Sequence, residues 1–227
     1  MELNKDIKNL EQLFHTDLHQ YLLSIGKVDE RLPEAPDIEE LWQKIGESYL
    51  PDGMREFNAY PTVSLGWMMF IGMAIAKYWD TDWELYSKVG DLYKYLRDQR
   101  DFDHMDDYIC EKVLLLAGED HAMMTKTVGE CASRTYNLLY HQHLEPGTPE
   151  AFQGYVSALH QMYLMGMSME LKRLGYHMTK QNRQTRGTGH RFRQNIGKCK
   201  DFAISSEITR KLSDHQVFFI AHWHTGS

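Results

Sequence analysis

The densest group of side chains that could do chemistry in this 227-residue chain is a set of carboxylates around residues 101–111. Oxygen ligands of this kind bind Mg²⁺ or Ca²⁺, and such a site would suit a carboxylate-metal hydrolase. The same residues also fit the start of a helix, where the macrodipole favours negative charge. We favour helix capping, with Asp103 as the cap, over metal binding for the whole group: Asp103, His104, Asp106, Asp107 and Glu111.

A second candidate is the pair Arg134 and His141, which lie two turns apart on one face of a predicted helix. This spacing resembles the Arg-x(4–6)-His element of the HEPN family, all-α dimeric domains of which many are metal-independent ribonucleases. The resemblance covers eight residues and implies proton transfer by the histidine and phosphate binding by the arginine. The same loose spacing recurs at three other places: Arg97/His104, Arg183/His190 and Arg210/His215. We therefore keep a HEPN-like ribonuclease as an alternative.

Two further groups have a spacing that could hold a ligand. Glu11, His15 and His19 follow one another at steps of four on the first predicted helix, a geometry that can clamp a metal ion. Because Phe14 sets the direction of the core, both histidines are predicted to face solvent. The segment before the apolar helix contains polar residues that either satisfy backbone groups or form the lip of a binding pocket: Arg55, Glu56, Asn58 and Tyr60.

Several classes of site are not indicated by the sequence. It contains no GxGxxG, Walker, HExxH or GxSxG motif. Its three cysteines are too few and too scattered for a disulfide framework or a CxxC metal site. The N-terminal residues alternate charged and apolar side chains and do not resemble a secretory signal. We expect no cofactor and a cytoplasmic location.

The element that must organise the fold is an uncharged run of 20 residues, Phe57–Ala76. Its strongly apolar part, residues 63–76, would span roughly 21 Å as a helix, less than the hydrocarbon core of about 30 Å. The other predicted helices are apolar on one side only, so they need a partner that is apolar all round. We therefore predict that a helix at about 61–79 is the buried axis of a soluble all-α bundle rather than a membrane span.

Apolar residues at steps of three and four predict about seven helices in a bundle domain at residues 1–180. Asp37, residues 80–82 and Thr148 are predicted helix starts, Pro51-Asp52-Gly53 a break, and Gly118 a helix end. The predicted helices cover residues 3–25, 37–49, 61–79, 82–98, 101–118, 120–143 and 149–174.

Charge separates this predicted bundle from the rest of the chain. Residues 1–180 carry 17 Lys and Arg against 29 Asp and Glu, a balance of −12. Residues 181–227 carry 8 against 3, a balance of +5, and have no apolar periodicity. We predict that 181–227 is a basic, loosely structured tail. The stretch 171–200 has nine basic residues and no acidic one, so nucleic-acid binding through it is a further alternative.

The leading prediction for function is a non-enzymatic helical domain that associates with itself as a homodimer through apolar helix faces. The last predicted helix offers more apolar surface than one stripe requires, including a methionine-rich row suited to adaptable contacts. That row consists of Tyr155, Met162, Met165, Met167 and Met169. The alternatives are the HEPN-like ribonuclease, the carboxylate-metal hydrolase and the nucleic-acid binder.

Overall fold

The computed structural model describes residues 3–177, with side chains from residue 9 onward. This range contains helices and no strand, which confirms the predicted all-α class. A π-helical segment, Ile109–Val113, directly continues the sixth α-helix. The predicted tail at 181–227 lies outside the described residues. The helices are α1 (Leu3–Ser24), α2 (Pro36–Glu39), α3 (Trp42–Ala59), α4 (Pro61–Tyr86), α5 (Leu92–Arg97), α6 (Met105–Tyr108), α7 (Gly118–Tyr140) and α8 (Pro149–Arg173).

Helix α4 is the central element, as the uncharged run predicts. Every residue from Ser64 to Ala76 is buried, including Trp67 and Ile71. Val63 differs from the prediction because 37 % of its surface is exposed. None of the helices between residues 3 and 177 is both long enough and apolar enough to cross a membrane.

Helix α8 is a second central element, which the sequence did not predict. It runs in the same direction as α4, because Ser64 contacts Tyr155 near one end and Asp80 contacts Tyr176 near the other. Helices α1, α3 and α7 also pack against α8. The prediction that its methionine-rich row is spare surface is therefore wrong. All five members of the row are buried inside this chain: Tyr155, Met162, Met165, Met167 and Met169.

Two glycines permit the close approach of α4 and α8. A Cβ atom at Gly72 would overlap the backbone carbonyl of Tyr163, and one at Gly166 would overlap the carbonyl of Met69. The two helices therefore meet backbone to backbone, closer than any larger residue allows. Such a contact fixes the axial register of α4 against α8.

Helix α3 continues through Pro51, so the predicted break at residues 51–53 is wrong. Proline removes one helical hydrogen bond, and packing on both sides of it offsets that loss. Before the proline, the Tyr49 hydroxyl donates to the Ser64 carbonyl at 2.6 Å. After it, the Gly53 carbonyl accepts from the Ser64 hydroxyl at 2.8 Å.

Other helix boundaries were predicted with mixed success. Thr148 caps α8 by accepting from the Ala151 amide, and Asp82 accepts from the Leu85 amide at a kink inside α4. Both starts are confirmed, but the helix predicted from 82 to 98 ends at Tyr86, and α5 is separate.

Three other predicted boundaries are wrong. Asp37 does not cap α2, because α2 begins one residue earlier, at Pro36. Asp103 does not cap α6, because the His104 amide donates to Asp101 instead. Gly118 starts α7 rather than ending the preceding helix.

Candidate interaction surface

The structure does not bring the predicted metal ligands to one point. His104 lies 2.8 Å from Asp101, and Glu111 pairs with Arg100. The first pair lowers the pKa of Asp101 and raises the pKa of His104 through their hydrogen bond. Asp106 is half-buried, and burial raises its pKa. Among the described residues, no set of three or more His, Cys, Asp or Glu side chains is arranged to hold a metal ion.

Arg134 is bound by side chains of its own chain. Its guanidinium donates to both carboxylate oxygens of Asp17 on α1, at 2.9 and 3.0 Å. It also lies over the ring of Tyr21, 5.0 Å from the centroid. His141 is exposed at the C-terminal end of α7. The HEPN-like pair therefore consists of an ion-paired arginine and a surface histidine.

The histidines of α1 do not face solvent as predicted. His15 is half-buried and lies 3.1 Å from the amide oxygen of Gln161, and His19 lies 2.9 Å from the carbonyl of Asp29. Beside them Glu11 pairs with His160 at 2.7 Å, which lowers the pKa of Glu11. The prediction failed because α8 covers His15 and the segment that follows α1 lies against His19.

The predicted pocket lip at residues 55–60 is spread over the surface. Arg55 lies over the ring of Phe102 and 3.6 Å from Asp52, while burial raises the pKa of Glu56. Asn58 and Tyr60 are exposed. No side chain caps the start of α4, whose first amides bond to the Tyr60 carbonyl.

The remaining candidates for chemistry are engaged or buried. Burial raises the pKa of both described cysteines, Cys110 and Cys131, to about 12, so their thiols stay protonated. Of the nine basic residues in the 171–200 stretch, Lys172 pairs with Asp29 and Arg173 pairs with Glu170. The other seven lie outside the described residues.

A series of aromatic rings leads from the core to the surface near the ends of α3 and α7. Tyr155 and Phe57 are buried, with ring centroids 4.4 Å apart. Tyr136 follows, 6.2 Å from Phe57, and then Tyr140, 6.3 Å from Tyr136. The ring of His141 lies 5.8 Å beyond Tyr140, of which 50 % is exposed. The series connects a rigid interior to an exposed aromatic surface.

Helix ends explain why aromatic side chains are exposed here. Helix α3 ends two residues after Phe57, and α7 ends four residues after Tyr136. Tyr60 and Val63, in the connection and the first turn of α4, are 63 % and 37 % exposed. We give the name tyrosine patch to a group of residues at the end of α7 and around the start of α4: Tyr60, Val63, Tyr136, Tyr140 and His141.

The tyrosine patch is formed by two sequence stretches without formal charge. Residues 57–76 contain no Asp, Glu, Lys or Arg, and neither do residues 135–144. Only Tyr60 and His141 were singled out from the sequence, each for a different reason. The uncharged stretch TYNLLYHQHL at the end of a predicted helix was the signal that could have indicated Tyr136 and Tyr140.

Comparisons of the chain with protein-family models, with curated proteins and with solved structures found no match.

Proposed function

We propose that this chain is a non-enzymatic helical domain that associates with a second copy of itself through the tyrosine patch. The observation that carries the proposal is the continuous series of rings from the buried Phe57 and Tyr155 to the exposed Tyr140. The inner rings of the series are packed in the core, and the outer rings are packed against them. The inner rings therefore hold the outer rings in position. A preorganised surface loses less conformational entropy on binding than a mobile one.

The residue types of the patch suit protein association. Tyrosine combines a large apolar ring with a hydroxyl that can bond to a partner or to water. Tyrosine is enriched at the centres of protein interfaces, and charged residues are depleted there. A two-fold dimer would place the same surface on both copies, so that the rings of one copy face the rings of the other.

Charge also favours this surface over others for contact between identical copies. The whole chain has a formal net charge of −7, so two copies repel each other on average. The exposed residues within the uncharged stretches 58–63 and 135–144 provide a place where copies can meet without opposing like charges. Electrostatic repulsion outside the contact and its absence within it determine the orientation of a complex more than they add affinity.

A non-catalytic role is supported by the state of the groups that could do chemistry. Arg134 is bound by Asp17, His104 by Asp101, and Glu111 by Arg100. In each pair the internal partner occupies an atom for which a bound substrate or metal ion would have to compete.

Sedimentation velocity of the full chain at micromolar concentration tests the proposal. We expect a mass above the 26.7 kDa of one chain. The double change Tyr60→Glu and Tyr140→Glu should give a monomer, because it opposes like charges across the contact. Leu115→Glu is the matched control. Leu115 is 74 % exposed but lies at the opposite end of α8, where Arg173 donates to the Leu114 carbonyl.

Three results would contradict the proposal. The wild-type chain could be a monomer up to about 100 µM, a concentration at which weak homodimers still form. The Leu115→Glu variant could dissociate as fully as the double variant, which would place the contact elsewhere. Ribonuclease activity that is lost in Arg134→Ala or His141→Ala, with the fold intact, would favour the HEPN-like alternative.

A further inference from the structure

Leu115 combines two features that are unfavourable within the described part of the chain. Its φ of 56° is in the left-handed region, where a Cβ atom raises the energy and glycine is the usual residue. Its side chain is 74 % exposed, although Leu114 and Leu116 on either side are buried. The helices between residues 3 and 177 therefore leave this leucine uncovered in an unfavourable backbone conformation. Conformations of this kind are concentrated at sites that make functional contacts.

Hydrogen bonds hold the backbone on both sides of Leu115. The Leu114 amide donates to the Ile109 carbonyl, and the Leu116 amide donates to the Cys110 carbonyl, both at 2.8 Å. These two bonds end the π-helical segment and fix the turn that follows it. The leucine side chain is thus presented to solvent from a fixed position, which lowers the entropy cost of a contact.

Two more exposed apolar side chains, Ile25 and Met123, lie at the same end of the bundle. The Lys27 ammonium lies 3.5 Å from the Met123 sulfur, so the segment after α1 meets α7 here. Arg173, in the last turn of α8, donates to the Leu114 carbonyl at 3.0 Å. We name the three exposed side chains at this end the leucine patch: Ile25, Leu115 and Met123.

The chain continues beyond the described residues from this same end. His177, the last described residue, lies 2.7 Å from one carboxylate oxygen of Asp29. The other oxygen of Asp29 pairs with Lys172 at 2.8 Å. Asp29 follows Ile25 by four positions, so residues 178–227 continue from a point close to the leucine patch.

The sequence of this continuation contains one segment that could cover the patch. Residues 217–223, VFFIAHW, have six apolar side chains out of seven and no Asp, Glu, Lys or Arg. The 39 residues at 178–216 can span up to about 130 Å, so their length allows the segment to return. These 39 residues carry 9 Lys and Arg against 3 Asp and Glu, a balance of +6. The exposed Glu119 and Asp120 at the start of α7 offer opposite charge beside the patch.

We propose that residues 217–223 of the same chain dock on the leucine patch. The apolar segment would bury Leu115 and cover Ile25 and Met123. Burial of apolar surface supplies the affinity, and the covalent connection raises the effective concentration, so that a weak contact is sufficient. For these seven residues the proposal replaces the prediction of a loosely structured tail. The contact is separate from the tyrosine patch, which lies at the opposite end of α8.

Hydrogen exchange of residues 217–223 in the full chain, read by mass spectrometry, tests the proposal. We expect exchange about tenfold slower or more than in the free peptide VFFIAHW, because docking protects the amides. Leu115→Gly should abolish this protection, since it removes the side chain at the centre of the contact. The same variant relieves the left-handed conformation and should raise the Tm, so unfolding of the bundle could not explain the loss of protection.

Leu13→Ala is the matched control. Leu13 is also an exposed leucine, but it precedes Ile25 on α1 by 12 positions, about 18 Å along the helix. Protection should persist in this variant. The proposal would be overturned if residues 217–223 exchange as fast as the free peptide, or if Leu115→Gly protects them as well as the wild-type chain does. Equal loss of protection in Leu13→Ala would also overturn it. Protection that disappears on hundredfold dilution would overturn it as well, because the segment would then come from a second copy.

Discussion

The uncharged run that begins at Phe57 contains two segments with different surroundings. Residues 58–63, which we call the outer segment, join α3 to α4 at the surface and include the exposed Tyr60 and Val63. Residues 64–76, the inner segment, are buried throughout. Both segments lack charge, so the absence of charge does not by itself determine burial. Burial is determined by whether another element lies against the segment.

Ser64 marks the boundary between the two segments. Its hydroxyl donates to the Gly53 carbonyl and accepts from the Tyr155 hydroxyl at 2.7 Å. Burial raises the pKa of Tyr155 well above its usual value, so this phenol remains a donor. From Ser64 onward α4 is covered by α3, α7 and α8, whereas the outer segment lies where α3 and α7 end.

The largest expected effect comes from placing the same charge in each segment. Ile71→Asp should lower the free energy of unfolding by about 4 kcal/mol or more, because an unpaired carboxylate would be buried. Val63→Asp should change it by less than about 1 kcal/mol, because the position is partly exposed and lies in the first turn of α4. Urea denaturation measures both. Similar losses in the two variants would show that the segments do not differ in burial.

A smaller effect is expected from one methyl group in the contact between α4 and α8. Gly72→Ala should cost about 3 kcal/mol, because the new Cβ would meet the Tyr163 backbone, which cannot move aside like a side chain. Gly129→Ala on α7 is the control and should stabilise by about 0.5–1 kcal/mol, since nothing surrounds that position. Thermal unfolding compares them. A neutral Gly72→Ala variant would mean that the two helices are farther apart than the contact of Gly72 with the Tyr163 backbone requires.

Loss of the boundary hydroxyl should have an intermediate effect. Ser64→Ala removes the side-chain donor to the Gly53 carbonyl and leaves the buried Tyr155 hydroxyl without its acceptor, so we expect a loss of about 1–3 kcal/mol. Ser133→Ala removes an exposed hydroxyl that bonds to the Gly129 carbonyl, and it should change stability by less than about 0.5 kcal/mol. Both are measured by urea denaturation. If Ser64→Ala cost no more than its control, the boundary would not depend on this network.

Much of the fold could be predicted because it depends on signals local to the sequence. The inner segment, the Thr148 start of α8 and the all-α class follow from hydrophobic pattern and capping. The continuation of α3 through Pro51 could not be predicted, since it depends on contacts with Ser64 and Tyr155 that are distant in sequence. Propensity gives way to tertiary packing at such a position.

The candidate surface was less predictable than the fold, for a related reason. An exposed apolar patch is defined by which residues the described helices leave uncovered, and this depends on all packed elements at once. The methionines of α8 looked like spare surface because a pattern along one helix cannot show that several neighbours cover it. Tyr136 and Tyr140 could not be predicted as surface residues, because their exposure depends on where α7 ends relative to its neighbours.

The smallest expected change in the free energy of unfolding is that of a substitution at Tyr60. The same substitution tests most directly whether the outer segment forms a contact between two copies. Tyr60→Ala should change the free energy of unfolding of the monomer by less than about 0.5 kcal/mol, since the side chain is mostly exposed. If two copies associate through the tyrosine patch, the Tm of the wild-type chain should rise with protein concentration, because association stabilises the folded state by mass action. That rise should disappear in Tyr60→Ala and persist in Tyr60→Phe, which keeps the ring. Scanning calorimetry over a hundredfold range of concentration measures it. A large loss of stability in Tyr60→Ala at every concentration would instead assign Tyr60 to the core, and would remove the difference between the outer and inner segments.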